Sequence, residues 1–263
     1  MLFFVIPLRD SSTTSDWPGV CRLLERTLAS ACGQIHDDFR VLVVCHSNPE
    51  GVHIPDRCEF LNVSFPPPSL HPDEGGEVRL FRMHSDKGRK LLRGLERARC
   101  VPDSYVMFLD ADDLVSNRLS GFVSENAGAN GWFIERGYRM DENLQHVMFW
   151  RHRFYEECGS SYLIRSSLAP FPERLDDTLD LSDYFVRRYV GHAYVREDLA
   201  KRGTPLDALP FYGAVYSFNS QNFYASEYRR ADSPWRNMAR LVFKGRWVTS
   251  ALRREFGIQP LRD

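Results

Sequence analysis

Three carboxylates crowd the end of one apolar run, where Tyr105-Val106-Met107-Phe108-Leu109 leads straight into Asp110-Ala111-Asp112-Asp113. Asp110 and Asp112, two apart on an extended segment, can point the same way. Like charges held that close are costly unless a cation neutralises them. Hard carboxylate oxygens select Mg²⁺ or Mn²⁺, so the spacing describes a divalent-metal site. The same letters also suit an acidic turn capping the next helix, because Asp is a common N-cap.

The elements around this segment say where such a site would lie. Five apolar residues with β-branched and aromatic members predict a strand covered on both faces of an open α/β sheet, and such sheets bind ligands at the carboxyl ends of their strands. Residues 2–6 predict another buried strand, and 7–15 a polar loop rich in Ser and Thr. Asp16 before Trp17-Pro18 marks an N-cap, and Val20, Leu23, Leu24, Leu28 and Ala31 recur at helical spacing, predicting a helix to about Gly33. Residues 39–45 form a second strand run, and the β-α-β order implies a parallel pair with a right-handed crossover. Residues 58–63 suit a third strand, Pro66-Pro67-Pro68 and Gly75-Gly76 mark a long loop, and 86–99 predict a basic helix feeding the carboxylate strand.

This order, read with Phe108-Leu109-Asp110-Ala111-Asp112-Asp113 and the preceding Gly94-Leu95-x-x-Ala98, resembles the nucleotide-sugar half of a GT-A glycosyltransferase of the family two type over residues 2–125. The resemblance implies a Rossmann-like three-layer α/β/α sandwich with a mostly parallel central sheet. It implies a loop at Pro7, Leu8 and Arg9 that packs on the nucleobase and ribose, Asp110 and Ala111 near the ribose, and Asp112 on a divalent metal, Mn²⁺ or Mg²⁺, bridging the diphosphate. A sugar leaving as a nucleoside diphosphate develops charge that a metal and basic side chains stabilise. Lys87, Arg89 and Lys90 are candidate phosphate contacts, with a solvated basic face as the plainer alternative. The family's acidic or amide pair at the end of the second strand is replaced here by Cys45-His46-Ser47, which leaves the base open.

Two other readings use the same letters. Residues 109–115 also resemble the nucleophile loop of haloacid-dehalogenase-type phosphatases, in which the first Asp attacks phosphorus. That loop normally ends the first strand of its domain, whereas here a β-α-β unit and a further strand precede it. A non-catalytic nucleotide-sugar-binding module would keep the same fold.

The second half carries the expected acceptor side. Residues 114–126 predict a short helix, residues 131–150 a hairpin turning at Asp141-Glu142-Asn143, and 158–165 a small-residue segment returning a strand to the sheet. The resemblance places a base-bearing helix near 171–191, where Asp180-Leu181-Ser182-Asp183 with Arg187 and Gly191 fits the frame but Leu181 takes the usual carboxylate position. Asp183, then Asp180, is the preferred base, with Asp176 and Asp177 nearby and helix capping as the alternative. His192 could complete the metal shell, as a neutral imidazole does for Mn²⁺, although a lone His is more often a packed or surface residue. Asn219, Gln221 and Asn222 follow a strand-like run and suit sugar hydroxyls.

Composition bounds the rest. A length of 263 residues suits one domain (1–232, divided at 125) with an appended segment (233–263), and a net charge of −1 argues against nucleic acid. The six cysteines form no C-x-x-C pair and read as reduced thiols, and residues 1–8 are too short for a signal or a span, which gives the expectation of a cytoplasmic protein. From Pro234 onward, apolar Trp235, Met238, Leu241, Val242, Val248 and Leu252 alternate with basic residues, predicting a basic amphipathic helix that either meets the cytoplasmic face of a membrane or docks on the core. The expected partners are a nucleoside-diphosphate-sugar donor and a glycan, lipid-linked or protein hydroxyl acceptor.

Overall fold

The computed structural model describes residues 1–71, 73–141, 146–169, 171, 192, 194–219 and 245–259. In chain order come β1 (Leu2–Pro7), a 3-10 turn (Ser11–Thr13), α1 (Trp17–Ala31), β2 (Phe39–Cys45), β3 (Cys58–Asn62), α2 (Gly76–Arg99), β4 (Tyr105–Phe108) and β5 (Leu114–Val115). They are followed by α3 (Leu119–Glu125), β6 (Gly131–Phe133), β7 (Gly137–Asp141), β8 (His146–Trp150), a 3-10 turn (Phe154–Glu156), β9 (Tyr162–Arg165), α4 (Val195–Lys201), β10 (Asp207–Ala208), β11 (Ala214–Phe218), β12 (Gly245–Trp247) and α5 (Ser250–Phe256).

The first sheet has the order β10-β6-β9-β4-β1-β2-β3. β4, β1, β2 and β3 are mutually parallel, and β9 inserts antiparallel between β4 and β6. Period-two alternation sends Leu2, Phe4 and Ile6 of β1 toward Val20, Leu24 and Leu28 of α1, and Phe3 and Val5 toward Leu91, Leu92 and Leu95 of α2. The sheet is therefore buried on both faces, and the chain is a three-layer α/β/α protein with a mostly parallel sheet, as its apolar runs require. Gly94 permits the close packing of α2, because a Cβ there would stand 2.2 Å from Val5 Cγ1. The second sheet, β12-β8-β7-β11-β5, is mixed: β7 and β8 form the antiparallel hairpin, while β11 runs parallel to β7.

Several expectations are corrected. α2 begins at Gly76, ten residues before Asp86, because Leu80 and Met83 give its first turns an apolar stripe against the cavity. Residues 114–126 are not one helix: Leu114–Val115 pairs with β11 before α3 starts. Residues 131–133 join the first sheet and do not form part of the hairpin. The C-terminal segment is not a single helix over its described part. Gly245–Trp247 is a strand on β8, where backbone pairing takes precedence over helical periodicity. α5 is a separate helix capped by Thr249, and Phe256 and Ile258 are buried with Tyr138 and Met140. No helix among the described residues is long and apolar enough to cross a membrane.

Candidate functional site

The carboxylates emerge where β4 stops, and they part company at once. Leu109 N–H still donates to Val5 O, and the chain then turns so that Asp113 N–H donates back to Asp110 O at 3.1 Å. Asp113 faces the protein: its side chain accepts from Ser160 Oγ at 2.7 Å, Cys158 Sγ at 3.3 Å and the Ser217 N–H at 2.9 Å. It ties β4, the segment before β9, and β11 together. Burial, then the neighbouring Asp112 and Asp110, pushes its carboxyl well above the usual range.

Asp110 and Asp112 instead line a cavity of about 480 Å³ at the carboxyl ends of β1 and β4. Lys87 Nζ meets Asp110 Oδ1 at 2.5 Å. Burial works against charge on Asp110, but Lys87, and more weakly His192 and His84, hold its carboxyl below the usual range. Asp112 accepts from Asn219 Nδ2 at 2.8 Å, and burial followed by the charge on Asp110 raises it. Arg9 is also buried here, which lowers it against the opposing pull of Asp112 and Asp110. Arg26, from α1, donates to Ser217 Oγ at 2.6 Å and reaches the Asp112 carbonyl at 3.4 Å, fixing the turn from below.

Pro7, Leu8, Arg9, Lys87, Ala111 and His192 line the same cavity. Gly159 marks how closely its walls approach: a Cβ there would lie 3.3 Å from Asp110 Oδ2 and 3.6 Å from His192 Nδ1. His192 adopts φ +39, a conformation that side chains other than glycine rarely take, and its Nε2 bonds Glu156 O at 3.2 Å. Backbone outliers of this kind cluster at functional sites.

Lys90, which also lines the cavity, and Arg89 have partners within the protein. Lys90 is fully buried, donating to Leu8 O at 2.8 Å and to Asp86 at 2.6 Å, and so anchors the loop after β1 to α2. The other Asp86 oxygen meets His46 Nε2 at 2.8 Å, and this His46–Asp86–Lys90 chain occupies the end of β2. Arg89 stacks its guanidinium over Phe65. Asp180 and Asp183, with Asp176, Asp177, Arg187, Gly191, Gln221 and Asn222, lie outside the described residues. Sequence reasoning missed Asn219 as the partner that orients Asp112, and Arg139, Tyr216 and Phe218 as cavity walls. Strand alternation through 137–141 and 214–218 was the signal that could have found the last three.

A metal can be weighed against this donor set. Among the described residues no group of three or more His, Cys, Asp or Glu side chains is placed to hold an ion by itself. Mg²⁺ and its like are usually held by one or two carboxylates plus substrate phosphates. The two hard carboxylates, one of them raised by burial and then by its neighbour's charge, fit an ion that takes its remaining ligands from outside the protein and not a closed protein cage.

Fold and site together define an α/β protein with a charged ligand cavity at the carboxyl edge of its parallel strands. No family model matches the chain, and no curated protein sequence does. Among solved structures it is similar to the crystal structure of S. aureus TarS 1–349, with 13% identity and a TM-score of 0.44 over 82% of this chain and 60% of that one. It is also similar to an active-site mutant of LgtC, with 15% identity and a TM-score of 0.33 over 99% and 85% of the two chains. The chain thus spans 60% of the TarS fragment.

Proposed function

We propose that the chain is a GT-A-type glycosyltransferase that moves a sugar from a nucleoside diphosphate to a hydroxyl acceptor with a divalent metal. The observation that carries this reading is the meeting of two carboxylates, Asp110 and Asp112, with two cations, Arg9 and Lys87, in one cavity at the carboxyl edge of β1 and β4. A metal–diphosphate needs both signs: hard anionic oxygens for the ion, and cations for the remaining phosphate oxygens. Pro7, Leu8 and the aliphatic stem of Arg9 take the base and ribose, which leaves the Arg9 guanidinium for the diphosphate; Asp112 and Asp110 would hold Mn²⁺ or Mg²⁺, while His192 lines the cavity without forming a three-ligand set with them. When bound, the ion neutralises charge on the departing phosphate.

Lys87 exchanges Asp110 for a phosphate oxygen, a step its flexible stem allows. The acceptor oxygen forms a bond to the anomeric carbon and gives its proton to a carboxylate base, Asp183 by preference and Asp180 next. The bond from that carbon to the phosphate oxygen breaks, and its electron pair leaves with the nucleoside diphosphate. A single displacement of this kind inverts the anomeric centre.

Incubation with a panel of nucleoside-diphosphate sugars, Mn²⁺ and a set of hydroxyl acceptors, monitored for nucleoside diphosphate, tests the proposal. One donor should be consumed, chelator should stop the reaction, and an aryl phosphate should remain intact. Phosphate release from the aryl ester would move the chain to the phosphatase class.

A further inference from the structure

β7 divides its side chains between two environments. Tyr138 and Met140 enter the core beside Val147, Val215 and Phe256, so the intervening Arg139 faces the opposite side. There it lies in register with Tyr216 of β11 and lines the cavity with Tyr216 and Phe218. Its guanidinium carbon stands 4.0 Å from the centre of the Phe218 ring. Four lysines and arginines line this cavity: Arg9, Lys87, Lys90 and Arg139. Lys87 pairs with Asp110, Lys90 with Asp86 and Leu8 O, and Arg9 interacts with Asp112. Arg139 makes no hydrogen bond or ion pair among the described residues, and its Nε is buried without an acceptor. Glu156, on the same cavity wall, is paired with Arg153 at 2.6 Å.

A guanidinium whose Nε–H is buried without an acceptor is a site prepared for an oxyanion, because the ring beneath fixes its plane and leaves the donor edge free for a bidentate contact. The donor's diphosphate already has its cations in Arg9 and Lys87, the two that act on Asp112. Arg139 belongs to the second sheet, over the Phe218 ring and in register with Tyr216, and both rings are cavity walls of the kind that sugar rings pack against. Resting on the glycosyltransferase reading, we propose that Arg139 recognises a carboxylate or phosphate on the acceptor, so that the acceptor is an acidic saccharide or a phosphorylated polyol and not a neutral sugar.

The test uses the full chain and four probes: glucuronate and glycerol phosphate, with glucose and glycerol as their neutral counterparts. Each is titrated with Mn²⁺ present, both with and without the nucleoside diphosphate that binds. Wild type should bind both anions at least tenfold more tightly than the neutral probes. Arg139→Gln should abolish that preference, Arg139→Lys should retain part of it, and nucleotide affinity should stay within twofold in both variants. Circular dichroism and melting confirm that each variant is folded, and the lysine variant preserves the test if the glutamine variant is not. Equal binding of charged and neutral probes by wild type would overturn the proposal. So would a loss of nucleotide affinity in Arg139→Gln with the anion preference intact, which would assign the residue to the donor. If no nucleoside diphosphate binds wild type, the glycosyltransferase reading fails, while the nucleotide-free titrations still decide whether Arg139 holds an anion.

Discussion

Three aspartates within four positions have different duties because their oxygens meet different partners. Asp113 spends its carboxylate on Ser160, Cys158 and the Ser217 N–H. Asp113→Ala should therefore act on stability, since each buried group left without its partner costs about 1–3 kcal/mol. At roughly 2–4 °C per kcal/mol for a chain of this size, a fall of several degrees in Tm is expected, with nucleotide affinity kept in the folded fraction. A second prediction concerns pH. Burial, then Lys87, lowers His84 to about 4 from 6.5. The unfolded chain takes up a proton near pH 6.5 that the folded chain refuses until about pH 4, so this stability is present above 6.5 and lost as pH falls between the two values. The loss amounts to about 3 kcal/mol at most. Denaturation midpoints at pH 7 and pH 5 should differ more for wild type than for His84→Asn, and equal differences would remove His84 from the account. Asp110, Asp112, Arg9, Lys87 and His192 were all legible as site residues and do share the cavity. What each oxygen or nitrogen touches was not legible, because Asn219, Ser160 and Ser217 approach from strands and loops distant in sequence.

At the scale of elements, legibility followed burial. β1 and β4 are continuous apolar runs, and β2 is one after Arg40, because helices cover both faces of the sheet, and α1 carries a complete apolar stripe with a cap at Asp16. The start of α2 was hidden by the Gly75-Gly76 pair and a polar first turn, and β5 and β12 are too short for any periodicity, being set by pairing with distant strands. Gly94 was noticed as part of a pattern, and the structure supplies its reason. Gly94→Val should drive its side chain into Val5 and cost about 1–3 kcal/mol by overpacking, measured as a lower denaturation midpoint without change in the slope. The C-terminal elements are equally open to test. Removing residues 245–263 takes away Phe256 and Ile258, both buried, and uncovers Tyr138 and Met140, against which they pack. At roughly 1.5–3 kcal/mol for each such side chain, truncation should lower Tm sharply, where a free amphipathic tail would leave it unchanged.

At the scale of the molecule, two sheets share one cavity: the parallel sheet brings the carboxylate pair with Arg9 and Lys87, and the mixed sheet brings Arg139, Tyr216 and Phe218. Under the proposed reading, one wall holds the sugar donor and the other the acceptor. Everything proposed for the chain depends on the first wall binding a metal–diphosphate through Asp112. Isothermal titration of wild type and Asp112→Asn with uridine, guanosine, cytidine and adenosine diphosphates, each with and without Mn²⁺, tests that dependence most directly. At least one nucleotide should bind wild type only when Mn²⁺ is present, and the same nucleotide should fail to bind Asp112→Asn at an unchanged Tm. Binding that ignores both the metal and the substitution, or no binding of any nucleoside diphosphate, would contradict the account.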